Sequence, residues 1–410
     1  MKDKVMYKRI VSIFSYSVVM LCTITSVLHP VKDPIPWTIL VYIAADNSLS
    51  DFAQFNIDQM KLINNPNVNI LVYWCPPVQN GQKIGKKLEI TYNNQKIIAT
   101  DLQVDSGSRV TLSNACNWAI TSYPSDKFAL VLWNHGSGIL NRAFTEKEAW
   151  RGFCYDDTTG HNLTDIDLRS VLTEVKTARN NKKTDIVGFD ACLMAGCEVA
   201  SGLSDLASYL VASEQTEPGY GWDYSFLKTF TSGADQRAAA KSITTAYNLF
   251  YKANTFGQRT NSYTMSTMDV SQYAPVDTAL NNLSLALISA WGTALKPKLK
   301  LAIQKSISRP FDDTVYIDMI TFCNNLIKNM SSIQASSALK PQLVAIKTAL
   351  TQLVQKATSM VVLTVKGSDL PGALGVSLYF PQSFIEPSYA SSYFAPRNNW
   401  STFIGKFIRN

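Results

Sequence analysis

The chain has 410 residues, 46% of them hydrophobic and 17% charged, a balance that suits a globular protein with a large core and excludes long disorder. Its formal charge of +7 is spread along the sequence, with no Lys/Arg run denser than pairs such as Lys86-Lys87 and Lys182-Lys183, so nucleic acid is not an expected partner. The seven cysteines (22, 75, 116, 154, 192, 197 and 323) contain no Cys-x-x-Cys, and the three histidines (29, 135 and 161) do not pair at helical spacing, so no metal site is expected.

Lys2, Lys4, Lys8 and Arg9 precede an apolar stretch from Ile10 to about Leu28. Basic residues before a short apolar core read as an export signal over residues 1–29. Cleavage is the first expectation and a retained membrane anchor the second. A lipoprotein anchored through Cys22 is the third, although Leu21 before it is not small. Pro30, Pro34 and Pro36 stiffen a linker over residues 30–36.

From Thr38 to Ala45 the chain is continuously apolar, as in a strand buried on both faces of a parallel sheet. Asn47 and Ser48 then stand where they could cap a helix over Leu49 to Leu62. Asn69 to Trp74 reads as a strand. Lys87 to Tyr92 and Gln95 to Thr100 flank Asn93-Asn94 as a hairpin. A helix follows from Leu112 to about Ser122, then a strand from Phe128 to Trp133. Asn141 to Asp157 has no period and reads as a loop. Thr164 to Lys176 reads as a helix with Thr164 as its cap and Asp167 three residues on. Ile186 to Phe189 is a strand, Ala195 to Leu203 a helix, and Tyr209 to Ala212 a strand.

Beyond residue 235 the pattern turns helical (Ala238 to Ala253, Asp277 to Trp291, Tyr316 to Met330, Pro341 to Ala357) before strands return at Val361 to Val365 and Gly375 to Phe380. The alternation predicts an α/β protein with a mostly parallel sheet and helices on both faces. Residues 37–235 would form the core and 236–410 a C-terminal helical elaboration whose strands rejoin it.

Ligand sites in such sheets lie beyond the carboxyl ends of the strands. Two residues with the right chemistry fall there. One strand ends in Gly188-Phe189-Asp190-Ala191-Cys192, and the helix expected next would point its N-terminus at the sulfur and favour the thiolate. The strand from Phe128 ends in Trp133-Asn134-His135-Gly136-Ser137-Gly138. Cysteine and histidine so placed make a nucleophile and its proton shuttle. Their separation is close to the spacing of about 50 residues in the caspase signature. The backbone N–H of Cys192 and that of Gly136 are candidate oxyanion donors, because acyl transfer develops charge on the carbonyl oxygen. Asp190 shares a strand face with Cys192; it either serves a substrate or caps the next helix. Ser213 to Tyr224 leaves another strand at the same edge, with Glu217 and Asp223 as acids of its rim.

His-Gly after one strand and Asp-Ala-Cys after the next resemble the clostripain-type cysteine peptidases, relatives of the caspases and gingipains. The likeness extends to Trp37 to Asn47, to Asp156-Asp157-Thr158-Thr159-Gly160, to Ser213 to Trp222 and to Gly375 to Pro381, in that family's order. It implies a caspase-like fold and a Cys192–His135 pair without a fixed third acid. It assigns Asp190 to a basic P1 side chain, hence cleavage after Arg in preference to Lys. An arginine fork meets a carboxylate in bidentate geometry, which is the physical ground for that order. The expected partners are protein or peptide substrates with exposed Arg or Lys. Family members are often zymogens that cut themselves between the histidine and the cysteine, where this chain offers Arg142, Lys147 and Arg151. No organic cofactor is implied. Calcium serves some members, but no calcium loop is spelled here. Two rival readings are a non-catalytic binding protein on this scaffold and another acyl-transfer enzyme, a transpeptidase or amidase, using the same pair.

Overall fold

The computed structural model describes residues 35–140, 152–254 and 260–409. The export segment with Cys22, the linker up to residue 34 and the candidate cleavage residues Arg142, Lys147 and Arg151 lie outside the described residues.

In chain order the strands are β1 (Trp37–Ala44), β2 (Val68–Cys75), β3 (Ile84–Thr91), β4 (Asn94–Leu102), β5 (Lys127–Trp133), β6 (Phe153–Asp156), β7 (His161–Leu163), β8 (Thr184–Asp190), β9 (Ala207–Ala212), β10 (Thr264–Asp269), β11 (Tyr316–Asp318), β12 (Val361–Lys366) and β13 (Ser377–Tyr379). The helices are α1 (Ser50–Lys61), α2 (Arg109–Ser122), α3 (Asp165–Ala178), α4 (Cys197–Leu203), α5 (Gln236–Ala253), α6 (Tyr273–Trp291), α7 (Lys296–Ser306), α8 (Met319–Met330), α9 (Lys340–Met360), α10 (Pro387–Ala390) and α11 (Trp400–Ile408).

A nine-stranded sheet runs β12-β10-β9-β8-β5-β1-β2-β3-β4. Its centre, β9-β8-β5-β1-β2, is parallel, and both flanks are antiparallel. β1 shows why its apolar run has no gaps. Leu40, Tyr42 and Ala44 enter one core, under α2, α3 and the C-terminal helices, while Ile39, Val41 and Ile43 enter the other, under α1 and α5. The mostly parallel α/β architecture expected from the alternation is the one observed.

Four local departures have physical causes. First, Phe153–Asp156 is a strand paired with β7, not loop: Phe153, Cys154 and Tyr155 are buried beside the sheet's edge. Second, β10 does not announce itself as a strand, because its buried Thr264, Ser266 and Thr267 find hydroxyl partners in Ser213 (2.8 Å), Thr364 (3.0 Å) and Thr244 (2.7 Å). Third, the helix expected from Tyr316 opens with strand β11 and starts at Met319, capped by Asp318. Fourth, α7 is a helix that the sequence pattern does not announce: its buried face is only Leu299, Ala302, Ile303 and Ser306, and four lysines occupy the rest of its surface.

The described residues pack as one unit, so residue 236 marks a change of composition within one body. The return of the chain near Gly375 shows how the second half serves the first. Leu374 N–H donates to Asp318 (2.7 Å), Gly375 N–H to Glu214 (2.8 Å) and Tyr379 N–H to Glu198 (2.9 Å), three acids that are all buried. Ser377 N–H donates to the carbonyl of Ala195 (2.9 Å), three residues past Cys192. Met319 N–H donates to the Val376 carbonyl (3.0 Å) on the other side. The segment is thus laid between the loop that carries Cys192 and β11.

Burial pushes the Glu198 carboxyl up to about 7, against the opposing effect of the Tyr379 N–H. The folded protein holds this proton more tightly than the unfolded chain does. The side chain's stabilising contribution is therefore complete below about pH 4.5 and is lost as the pH rises through about 7. Glu198→Gln, which keeps the acceptor and cannot ionise, should match the wild type near pH 5 and exceed its stability at pH 8 by roughly 2–3 kcal/mol. Denaturant titrations at the two pH values would show this; an unchanged pH dependence in the variant would refute it.

Candidate active site

Three neighbouring strands end at one level. Ile43 of β1 pairs with Trp133 of β5, and Trp133 pairs with Asp190 of β8. The chains beyond this row are stitched together. Asn134 N–H donates to the Asp190 carbonyl (3.2 Å), and the Asn134 amide donates to the carbonyls of Ala44 (2.5 Å) and Tyr155 (3.0 Å). His135 and Cys192 follow within two residues.

The strand-to-helix passage after Asp190 is longer than expected. α4 starts at Cys197, behind Gly196, and residues 191–196 form a turn. The helix N-terminus is therefore not at the sulfur, which corrects the expectation of a dipole-stabilised thiolate. Leu193 takes a left-handed conformation (φ 65°), a strain of roughly 1–2 kcal/mol for a residue with a Cβ. Leu193 N–H bonded to the Gln215 carbonyl (3.1 Å) and Ala195 N–H bonded to the Ser213 carbonyl (2.9 Å) hold the turn in place. The Cys192 sulfur accepts the backbone N–H of Glu217 at 3.2 Å. Burial pushes this thiol up to about 12, the nearby Glu217 charge adds to the rise, and the Glu217 N–H opposes it. At neutral pH this favours the thiol over the thiolate at Cys192. The five other described cysteines are buried.

His135 is half-buried and its ring meets Tyr155 edge-on at 6.4 Å between centroids. Its backbone N–H is held by the Asn134 side chain. Its Nε2 lies 3.0 Å from the Ser48 hydroxyl, from the loop after β1. A Cβ on Gly136 would collide with the Cys192 carbonyl oxygen, so the His-Gly backbone lies directly against the Cys192 peptide. His161, by contrast, is exposed and pairs with Asp105 (2.7 Å).

Near the sulfur, on the α5 side of the sheet, lies a buried cluster of acids and aromatics. Gly188 lacks the Cβ that would stand 2.6 Å from the Trp222 ring, so the indole crosses the strand there. One Asp190 oxygen accepts the Trp222 N–H (3.1 Å) and the other the Tyr224 hydroxyl (2.9 Å). Burial raises the Asp190 carboxyl to about 7 in spite of these bonds. Glu217 is beside it; burial, and then the Asp190 charge, hold its carboxyl well above the usual range. Both Glu217 oxygens are shut off from solvent without a hydrogen bond of normal geometry, as are the Trp222 indole N–H and the Tyr247 hydroxyl of α5. Tyr251, one helical turn on, fastens the loop by donating to the Gly221 carbonyl (2.7 Å). Asp223 takes no part: its two oxygens accept the Ser225 N–H (2.9 Å) and hydroxyl (2.7 Å), capping a short 3-10 turn.

The model of the clostripain family matches residues 41–405. The chain belongs to the clostripain family. Clostripain of Hathewaya histolytica is 26% identical over 46% of this chain, and the match spans 40% of that relative's length. A secreted C11 cysteine protease from Bacteroides thetaiotaomicron, solved with an irreversible peptide inhibitor, superimposes with a TM-score of 0.62 at 22% identity, over 91% of this chain and 99% of the other. An inactive zymogen C11 protease from Parabacteroides distasonis gives 0.62 at 19%, over 90% and 99%. At such identities these structures show the shared fold. The clostripain-family blocks legible in the sequence are the segments that converge here: 37–47, 156–160, 213–222 and 375–381.

The thiol state is testable without substrate. Iodoacetamide should alkylate Cys192 more slowly at pH 7.5 than it alkylates free cysteine, with a rate still climbing above pH 9, as followed by peptide mapping. A rate plateau from pH 5 to 8 would instead reveal a thiolate–imidazolium pair.

Proposed function

We propose that the protein is a cysteine endopeptidase that cuts after Arg, and less readily after Lys, using Cys192 and His135. The observation that carries the specificity is the buried Asp190–Glu217 pair near the sulfur. Two carboxyls, one of them with no hydrogen-bond partner of normal geometry, are costly to bury unless something cationic enters. A guanidinium supplies five donors in a planar fork and satisfies both acids.

In the proposed reaction the P1 side chain enters this pocket and its carbonyl comes to the sulfur. His135 takes the thiol proton as the sulfur attacks, and the carbonyl becomes an oxyanion. The backbone N–H groups of Cys192 and Gly136 are the donors proposed for that charge. The His135 imidazolium then gives its proton to the leaving amine, and the C–N bond breaks. Water, deprotonated by His135, hydrolyses the thioester and restores the thiol. The steps draw on no cofactor. The buried acids nearest the β1 loop, Asp46 and Asp156, are neutralised by Lys83, with Asp46 at 2.5 Å. Export follows from the basic-then-apolar N-terminus, with a relative of the same fold described as secreted.

Self-cleavage at Arg142, Lys147 or Arg151 belongs to the same reading. The described residues on either side of that segment are bonded to each other: Gly152 N–H donates to the Leu140 carbonyl (3.0 Å) and Ser137 N–H to the Gly152 carbonyl (3.1 Å). Intact mass spectrometry should find the wild type cut after one of the three residues and Cys192→Ala unbroken; an equally cut variant would assign the nick to a contaminant.

Peptides with Arg, Lys, citrulline, Asp and Asn at P1 test the pocket. Asp190→Asn should lower kcat/KM for Arg by about 100-fold, the loss of a charge-assisted pair. The empty pocket retains a proton that a cation must displace, so KM for Arg should fall about tenfold between pH 6 and pH 8. Citrulline should show no such fall. Strong cleavage after Asp, or a pH-independent KM for Arg, would overturn the assignment.

A further inference from the structure

We propose that Glu214 and Asp318 hold one proton between them and that this clasp, by fixing residues 374–377, positions the turn that carries Cys192. The effect on turnover rests on the reading of Cys192 as the nucleophile; the clasp itself does not.

Residues 213–217 run beside that turn as a strip. The Ser213 carbonyl accepts the Ala195 N–H (2.9 Å), the Gln215 carbonyl accepts the Leu193 N–H (3.1 Å), and the Glu217 N–H meets the sulfur (3.2 Å). Glu214 anchors the middle of the strip. Its own N–H donates to Thr264 of β10 (2.9 Å), and its carboxyl reaches the returning chain. There two successive N–H groups meet two acids from different halves of the sequence: Leu374 donates to Asp318 (2.7 Å) and Gly375 to Glu214 (2.8 Å). Gly375 is pressed against β10 and β12; its φ is 107°, and a Cβ there would stand 2.8 Å from Val361 and 3.0 Å from Ser266. Two residues on, the Ser377 N–H bonds the Ala195 carbonyl (2.9 Å). Ala195 is thus held on its N–H by the strip and on its carbonyl by the segment that the two acids grip.

Glu214 and Asp318 are both buried and face each other. Asp318 uses both oxygens as acceptors, one for Leu374 and one for the Thr321 N–H (2.6 Å) at the start of α8. Glu214 uses one; its Oε1 is shut off from solvent with no donor among the described residues. Two carboxylates so placed repel, and a bare buried oxygen is costly. One proton on Oε1, shared with Asp318, removes both penalties. Burial and then the Asp318 charge hold the Glu214 carboxyl well above the ordinary carboxylate range, against the Gly375 N–H and the Lys366 charge. The other groups that face the pair are the Lys366 ammonium of β12, which donates to the Pro371 and Ala373 carbonyls (2.6 Å each), and the Cys323 thiol of α8, kept neutral by burial. When the shared proton leaves, the carboxylates part, and Leu374 and Gly375 are no longer gripped together. The clasp is therefore complete below about pH 4.5 and is lost as the pH rises through the raised value.

Hydrogen exchange of the full chain, read by peptide mass and corrected for the intrinsic rate at each pH, tests the clasp without substrate. It is run in a Glu198→Gln background, because that carboxyl also titrates, beneath Tyr379. From about pH 5 to about pH 9, peptides covering 191–196 and 374–379 should lose protection together, by about tenfold per pH unit once the shared proton is gone. Adding Glu214→Gln should abolish the fall, since the amide accepts from Gly375 and donates to Asp318 but cannot ionise; peptides of α2 should not change in either protein. This comparison reports the clasp whether or not Cys192 is the nucleophile, and it does not depend on a truncated variant folding. In turnover, Glu214→Ala should lose about tenfold in kcat with KM unchanged, and Glu214→Gln should restore it. Protection that is flat with pH in the parent, or that falls equally with Glu214→Gln, would overturn the clasp. A kcat within twofold of the wild type in Glu214→Ala would overturn its positioning role.

Discussion

The parallel register across β1, β5 and β8 is the constraint on which the site depends. Ile43, Trp133 and Asp190 stand in one row, so the residues that follow them emerge at one height above the sheet. A slip of one residue in any of the three strands would turn its buried side chains to the opposite core. The continuous apolar runs and their sorting into two cores prevent that. The register is therefore secured by the hydrophobic interior, and the reactive groups inherit their alignment from it. Asn134 and Asn47 then fasten the loops by spending their amides on the same two carbonyls, those of Ala44 and Tyr155.

Above the sheet the currency changes from burial to charge. Glu217 contributes its backbone N–H to the Cys192 sulfur and its carboxyl to the acid cluster with Asp190, so one residue touches both. The same acid raises the thiol when ionised.

Much of this was legible in residue order. Continuous apolar runs gave the parallel strands, and Asp-Ala-Cys with His-Gly gave the two strand ends. What stayed hidden depended on partners distant in the chain. β10 is a strand because Ser213, Thr244 and Thr364 satisfy hydroxyls that look solvent-seeking in isolation. The helix after Cys192 reads from Ala195, a good helix former, although it starts at Cys197. Bonds from Leu193 to Gln215 and from Ala195 to Ser213 hold the residues before it in a turn. Asp223 looked like a pocket acid and is a cap, whereas Ser48 looked like a cap and faces the imidazole. Both are short polar side chains whose role is set by where the neighbouring loop happens to lie.

The tie between Ser377 and Ala195 has a consequence for synthesis. Chains leave the ribosome from the N-terminus, and earlier segments begin to fold first. Cys192 emerges long before the strand that braces its loop, so a nascent chain carries the Asp190–Gly196 turn without the contact that Ser377 makes with it. The brace forms only when residues 374–379 dock, late in translation, and the geometry around Cys192 is completed by the last part of the chain to appear.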